Sequence, residues 1–355
     1  MTVLWLNLSC VYLFSFFSRY FTNEGKNQIE YVKPNKLLVS LVILSLVLVS
    51  GLRRNIGDTH AYMQSYKNMN FTWDNIDFKG DFGFNIFQMY LQQISTNPQT
   101  LVFVTALITN LFIIVILYKY SRVFELSCYV YITSGFYLVS MNGIRQFFAA
   151  SLIFLGTKFI LNGDWKKYIL LVLFASTFHK SALLLIPIYF VVRRRAWTKV
   201  TILILTSAIF IVLGFNKFMN ILFTLIEDTQ YSQYSSFDGG GASFMRVIVN
   251  AVPLLVAYIG RGRLREIHPK SDYIVNICIV SLLFTIIATQ NWIFTRFNIY
   301  LGLYNLILIG WVVNLFKMKD QKLIYFGIIC CYLVFFVYEH ILSLNIIYKS
   351  NYISL

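Results

Sequence analysis

Residues 168–192 read "YILLVLFASTFHKSALLLIPIYFVV". A stretch this long and this apolar can cross a bilayer once as a helix, yet His179 and Lys180 stand near its middle. It either crosses once or folds back at His179-Lys180 as two short helices. "KK" (166–167) precedes it and "RRR" (193–195) follows it. A single crossing puts these clusters on opposite faces, against the bias of Lys and Arg toward the cytoplasm, whereas a hairpin returns both to one face. The hairpin is therefore the reading that positive-inside supports.

The flanking sequence has the same character. The chain is 58% hydrophobic and 13% charged, where soluble domains are about 25% charged. Apolar residues fall in blocks of roughly 15–20, the length of a membrane-crossing helix, and not in the ten-residue alternation of a β-barrel. Candidate spans lie near 3–18, 37–52, 100–118, 126–141, 147–161, 168–192, 199–215, 244–260, 273–289, 297–316 and 323–341. The predicted fold class is an all-α polytopic integral membrane protein with about 11–12 transmembrane segments, twelve if 168–192 is a hairpin. Several segments are short, which implies tilt, local thinning or burial among other helices. No internal repeat or low-complexity linker is visible, so residues 1–355 read as one integral membrane domain. "MTVLWLNLSCVYLFSFFSRY" has no basic n-region and no small-residue cleavage site, and reads as a retained first span.

A net charge of +15 raises the question of nucleic acid. The basic residues sit in short loops with no continuous basic face, so they read as orientation signals and no nucleic-acid partner is expected. In the twelve-segment arrangement both termini are outside. The cytoplasmic segments 19–36, 119–125, 158–167, 193–199, 261–272 and 317–322 then hold 20 of the 30 Lys and Arg. The outer face carries the loops 53–99 and 216–243 and the turns "NGIRQ" (142–146) and "QNWIFTR" (290–296). All five cysteines fall in apolar segments and read as packing residues, with no disulfide framework or zinc spacing.

Cations are disfavoured on the outer side, yet Arg53/Arg54, Arg145, Lys180 and Arg296 stand there at span ends, with Arg246 a less clear fifth. One such residue is explained by snorkelling. Several converging beside polar residues point to a shared anion, and the guanidinium fork suits phosphate oxygens. At an outer membrane surface that anion is most economically a lipid-linked phosphate or pyrophosphate. Asp58-Thr59 precedes "HAYMQSYKNM" (60–69), a short helix. Asp58 or Thr59 either caps that helix or holds an oxygen near the arginines, Asp58 serving as general base or binding sugar hydroxyls. His179, at the hairpin tip, is either a hydrogen-bonded structural residue or a proton-transfer group facing a polar cavity; His60 is a lesser second candidate.

"FNIFQMYLQQIS" (84–95) has Phe84, Phe87, Leu91 and Ile94 at helical spacing and reads as an amphipathic helix in the interface or dipping into the bundle. Tyr62, Tyr66, Trp73, Tyr231, Tyr234 and Trp292 are either interface anchors or platforms for sugar faces. "FDGGGASF" (237–244) reads as a flexible outer loop and a possible lid; no Lys-Ser/Thr follows, so it is not a P-loop. No metal-ligand cluster, nucleophile elbow or nucleotide fingerprint appears, so neither metal nor cofactor is expected.

"GLRRNIGDTHAYMQSY" (51–66), "SMNGIRQFFAASLIFLG" (140–156) and "WKKYILLVLFASTFHKSALLLIPIYF" (165–190), in that order, resemble the EpsG-like family of Wzy-type polysaccharide polymerases. The shared elements are an Arg followed by Gly-Asp-Thr and Tyr, an Asn-x-x-Arg-Gln turn and a Phe-His-x-Ser-Ala element. The aromatic-Arg-Phe turn at 294–297 and "YKSNY" (348–352) also look similar. The resemblance matches Arg53 or Arg54, Asp58, Thr59, Tyr62, Asn142, Arg145, Gln146, His179 and Ser181.

What the resemblance implies is a multi-pass enzyme of the bacterial cytoplasmic (inner) membrane with its site on the outer side, and a GT-C-like membrane glycosyltransferase architecture. Its substrates would be undecaprenyl-pyrophosphate-linked oligosaccharides held among membrane lipids, its product a capsule, exopolysaccharide or O-antigen. A flippase and a chain-length regulator would be its companions. Arg145 and Arg296 would bind pyrophosphate, and His179 or Asp58 would handle the proton. A flippase for lipid-linked oligosaccharide, a membrane acyltransferase and a non-catalytic scaffold are the competing classes. The crowding of polar motifs on the outer side, without repeat symmetry, favours the enzyme over the transporter.

Overall fold

The computed structural model describes residues 1–22, 32–225 and 240–353. Among the described residues the regular structure is helical, and an isolated antiparallel bridge, Arg53 to Ser350, is the β feature present. Three helices are long and apolar enough to cross a membrane, Pro98–Tyr120, Ser271–Ala288 and Met318–Ser343, and up to six if each of three bent pairs counts as one span. The protein is an all-α polytopic membrane protein, and it folds as two compact units.

The first unit comprises Met1–Phe190 and Leu306–Leu355. Its helices are α1 (Thr2–Tyr20), α2 (Lys36–Gly51), α3 (Thr59–Asn68), α4 (Phe82–Ile94), α5 (Pro98–Tyr120), α6 (Phe124–Thr133), α7 (Phe136–Asn142), α8 (Ile144–Leu155), α9 (Thr157–Asn162) and α10 (Trp165–Phe178), followed by α11 (Leu185–Val192), which ends just past the boundary. Asn97 starts α5 by accepting from the Gln99 N–H at 2.9 Å, with Pro98 in the first turn where its missing N–H costs nothing. Every residue of α6 is buried, as expected of a helix that is apolar all round. Its one charge, Glu125, accepts from Arg19 Nε through both carboxylate oxygens at 2.8 and 2.9 Å, so the buried carboxylate is paired.

Two predicted spans are broken. Residues 126–141 divide at Gly135, whose φ of +89° suits glycine, into α6 and α7. Residues 147–161 divide at Gly156 into α8 and α9. These are short segments inside a bundle, which accounts for lengths that looked inadequate for a crossing.

Residues 168–192 form the hairpin. Helix α10 stops at Phe178, His179 is extended (φ −157°, ψ 113°), and a 3-10 turn over Lys180–Leu184 leads into α11. The rings of Tyr168 and Tyr189 then stack at 4.9 Å between centroids. One continuous helix would hold those residues about 32 Å apart, so the arms run back alongside each other. The turn's freed backbone groups find partners: Ala182 N–H donates to His179 O at 3.1 Å, and Lys180 N–H donates to Asp81 Oδ1 at 3.1 Å.

The second unit is Val191–Asn305. It holds α12 (Lys199–Leu213), α13 (Phe215–Leu225), α14 (Phe244–Ile259), α15 (Arg261–Ile267), α16 (Ser271–Ala288) and α17 (Thr295–Leu301); α18 (Leu303–Val312) leads out of it. The chain bends by 96° between α12 and α13 and by 82° between α14 and α15. Residues 216–225, expected to begin the outer loop 216–243, are thus helical, as part of α13. Phe294 packs with Ile287 and Ala288 against Phe215, Phe218 and Phe297.

The glycine loop is a second departure from expectation. Trp292 N–H donates to Gly240 O at 2.9 Å, and Ala242 N–H donates to Ala288 O at 2.7 Å. A Cβ on Gly241 would overlap the Thr289 carbonyl. Gly240–Ala242 is therefore pinned to the end of α16 and is no free lid. Residues 237–239, Tyr231 and Tyr234 lie outside the described residues. The chain ends in α19 (Met318–Phe336), a π-helical turn over Val337–Ser343, and a tail.

Candidate active site

Three motifs, separated by some 35 to 90 positions in the sequence, meet at one end of the first unit. The first is the loop after α2. Arg53 is 1% exposed. Its Nε donates to Thr59 Oγ1 at 3.0 Å, Nη2 donates to Met141 O at 2.7 Å, and Nη1 donates to Ser50 O. Thr59 Oγ1 in turn donates to Ile56 O and Met141 O, at 2.8 and 3.1 Å. The guanidinium therefore closes the 53–59 loop on itself and fastens it to the end of α7. Burial lowers its pKa to about 10, which leaves it a cation at neutral pH. Beneath it lies a polar cavity of about 10 Å³, lined by Ser50, Thr105, Thr109 and Asn110, with room for about one water.

The turn inside this loop needs glycine. Gly57 has φ +53°, and a Cβ there would overlap the Asn142 side chain. Asn142 Oδ1 also accepts from Asp58 N–H at 2.9 Å. Ile56 is left-handed as well, at φ 78°, a costly conformation for a β-branched residue. Such strain survives only where surrounding structure over-determines it, and here Arg53, Thr59 and Asn142 do so. From the other side the C-terminal tail clasps the loop. Arg54 N–H donates to Lys349 O at 3.0 Å, Tyr348 Oη to Val49 O at 2.9 Å, and Ser350 Oγ to Leu52 O at 2.5 Å.

The second motif supplies Arg145, in the first turn of α8. Its Nη1 donates to Asp81 Oδ2 at 3.1 Å and its Nε donates to Tyr62 Oη at 3.2 Å. Its side chain is 42% exposed, against 7% for Asp81. Asp81 ties this arginine to the third motif, because its other oxygen accepts from Lys180 N–H at the hairpin tip. Burial raises the Asp81 pKa, and Arg145 and then the Lys180 N–H pull it back. Beside them Gln146 Nε2 donates to Ser181 Oγ at 3.3 Å, and Ser181 Oγ is hydrogen-bonded to His179 Nδ1 at 2.7 Å.

Packing holds this arrangement. Phe87 meets Phe148 at 5.3 Å and Phe148 meets Phe178 at 4.9 Å, which ties α4, α8 and α10 together. Gly83 lies so close to Thr177 that a Cβ would overlap it. The expected amphipathic helix is α4, and its buried residues run from Gly83 to Leu91 while Ile94 stays exposed.

Arg145, Tyr62 and Asp58 open onto a cleft of about 490 Å³. Asp58 occupies the N-cap position of α3, yet its side chain makes no capping hydrogen bond and the residue is exposed to the cleft. The cleft thus has a cation and a carboxylate at one mouth, the elements needed to bind an anion and accept a proton. Among the described residues no group of three or more His, Cys, Asp or Glu could hold a metal ion.

The structure therefore brings together Arg53, Asp58, Thr59, Tyr62, Asn142, Arg145, Gln146, His179 and Ser181. Their parts differ: Arg53, Thr59 and Asn142 build the loop, whereas Asp58, Tyr62 and Arg145 face the cleft. Arg54 is exposed and donates to Asn351 Oδ1 at 3.0 Å. Arg296, in the second unit, has its guanidinium 5.3 Å from the Trp292 ring centre; Arg246 is in that unit too. Tyr66 is no sugar platform: it is buried, and its Oη donates to Ser95 O at 2.8 Å. Sequence reasoning missed Asp81. The available signal was "KGDFGF" (79–84), an acidic residue one position before a helix whose second residue is glycine.

Helices that cross a membrane, and a polar cleft built from helix ends and their loops, define a polytopic membrane protein whose cleft is lined by an arginine and an aspartate. The EpsG family profile matches residues 36–354, nearly the whole chain, and the chain belongs to that family, a Wzy-like polysaccharide polymerase family. No curated relative and no solved structure matches it.

Proposed function

We propose that the protein joins undecaprenyl-pyrophosphate-linked oligosaccharide repeat units by glycosyl transfer at the outer face of the bacterial cytoplasmic membrane. A hydroxyl oxygen of the incoming unit bonds to the anomeric carbon of the growing chain. The bond from that carbon to the pyrophosphate oxygen breaks, and the lipid pyrophosphate leaves with the electron pair. The hydroxyl proton goes to a carboxylate. The observation that carries this reading is the half-exposed Arg145 guanidinium facing the same cleft as the uncapped Asp58 carboxylate.

In this scheme Arg145 stabilises negative charge developing on the leaving oxygen and Asp58 is the general base. His179 acts through Ser181 and Gln146 to fix the turn that carries Arg145. Capsule, exopolysaccharide and O-antigen are the product classes open to such a polymerase, and a flippase and a chain-length regulator are its expected companions.

The test is reconstitution in proteoliposomes with purified lipid-linked repeat units and gel analysis of the product. Wild-type protein is expected to form a polymer ladder, Arg145→Ala and Asp58→Asn to lose it, and His179→Gln to retain a reduced one. Full-length ladders from both Arg145→Ala and Asp58→Asn would sink the assignment.

A further inference from the structure

The cleft is long and chemically two-ended. Asp58, Ala61, Tyr62, Ser65 and Met69 line it at helical spacing, so it follows one face of α3 from end to end. Eleven residues of helix rise span about 16 Å. Helix α4 forms the opposite wall and runs in the same direction. Near the charged mouth the rings of Tyr62 and Phe84 are 6.1 Å apart. Farther along, Gln92 Nε2 donates to the carbonyls of Tyr66 and Met69, both at 2.7 Å.

The two ends differ in charge. Arg145 and Asp58 are the charged residues lining the cleft, and both sit at the start of α3. The rest of the lining is amide and aromatic: Phe84 and Asn85 beside the charged mouth, Gln88 one turn farther along α4, and Asn70, Phe71 and Asn75 past the end of α3. Each amide offers both donors and an acceptor, the combination that a hydroxyl or N-acetyl group can satisfy from either side. A carboxylate placed at the far end would meet no cation among the described residues that line the cleft, because Arg145 stands at the opposite mouth.

We propose that this groove is a glycan track that selects neutral sugars, with Asn70, Asn75, Asn85 and Gln88 as specificity-determining side chains. The assignment rests on the polymerase reading above. The pyrophosphate end of a repeat unit is held at Arg145 and its sugars lie along α3 toward Asn70. A repeat unit whose sugars carry uronate groups along this length is rejected.

The experiment uses the full-length protein in lipid nanodiscs and two soluble probes, a trimer of N-acetylglucosamine and a trimer of galacturonate, followed by saturation-transfer NMR titration. The neutral trimer is expected to bind at least tenfold tighter than the acidic one. Asn75→Ala and Gln88→Leu are each expected to weaken it about three- to tenfold, the range of one lost hydrogen bond. Gln88 is buried, so the exposed Asn70→Ala and Asn75→Ala keep the test open if Gln88→Leu does not fold. Equal binding of the acidic trimer, no binding of the neutral one, or neutral binding indifferent to all three variants would overturn the proposal. The polymerisation assay separates the two readings. A wild-type ladder whose KM for lipid-linked repeat units is unchanged in the groove variants refutes the track alone. Amide-dependent trimer binding by a protein that makes no polymer refutes the polymerase reading and leaves the glycan site.

Discussion

Arg53 and Arg145 belong to the same end of the first unit, and the sequence offers no way to rank them. Arg53 is 1% exposed and spends its guanidinium on two backbone carbonyls and a threonine hydroxyl. Arg145 leaves 42% of its side chain exposed at a cleft and is held by one carboxylate and one phenol. A cation whose ligands are main-chain carbonyls is fixed in the fold, because those carbonyls cannot move without the backbone. A cation held by side chains at a cleft mouth can exchange part of its coordination for a phosphate oxygen. The kind of ligand, more than the charge, separates the arginine that is fixed in the loop from the one that faces the cleft.

This contrast is open to attack in a graded way. Arg53→Ala is expected to have the largest effect on stability, about 3–5 kcal/mol, since it removes a buried group and orphans its acceptors. Arg53→Lys should rescue little, because a single ammonium cannot reproduce the fork. Thermal unfolding in detergent measures both, and a wild-type melting temperature for Arg53→Lys would show that only charge matters there. Gly57→Ala comes next, at about 1–3 kcal/mol, from a strained φ and the overlap with Asn142. Polymer yield should fall further than stability does, and unchanged yield would mean that Asn142 need not be placed so closely.

Asp81→Asn keeps an acceptor for the Lys180 N–H but removes the charge opposite Arg145. A stability change within about 1 kcal/mol is expected, together with a raised KM for lipid-linked substrate; a loss confined to melting temperature would make Asp81 merely structural. The smallest stability effect belongs to Arg145→Ala, within about 1 kcal/mol, with polymerisation abolished. If Arg145→Ala unfolds the protein as Arg53→Ala does, the contrast between the two collapses.

Much of this was legible in advance because membrane sequences expose their logic. Apolar block length identified the helices, and loop charge chose the hairpin at 168–192, which the stacked Tyr168 and Tyr189 display. Short polar motifs nominated nine residues that the fold gathers into one region. What could not be read was each residue's direction. Arg53 and Arg54 are adjacent, and only the packing of α7 and of the tail turns one inward and the other outward. The glycine run looked mobile because glycine permits motion, yet Gly241 is required by a close approach to Thr289. Asp81 escaped notice because its importance lies in two partners, Arg145 and Lys180, that are 64 and 99 positions away.

The clasp between the tail and the 49–55 segment has a bearing on biosynthesis. The side chain–backbone hydrogen bonds made by Tyr348 and Ser350 bridge separations of 299 and 298 residues. The ribosome therefore delivers the two halves of this contact about 300 residues apart. The loop that carries Arg53 and Asp58 must wait for Tyr348 and Ser350 to emerge before this clasp can lock. Removing residues 348–352 would leave the helices up to Ser343 in place and the Arg53 loop without its clasp.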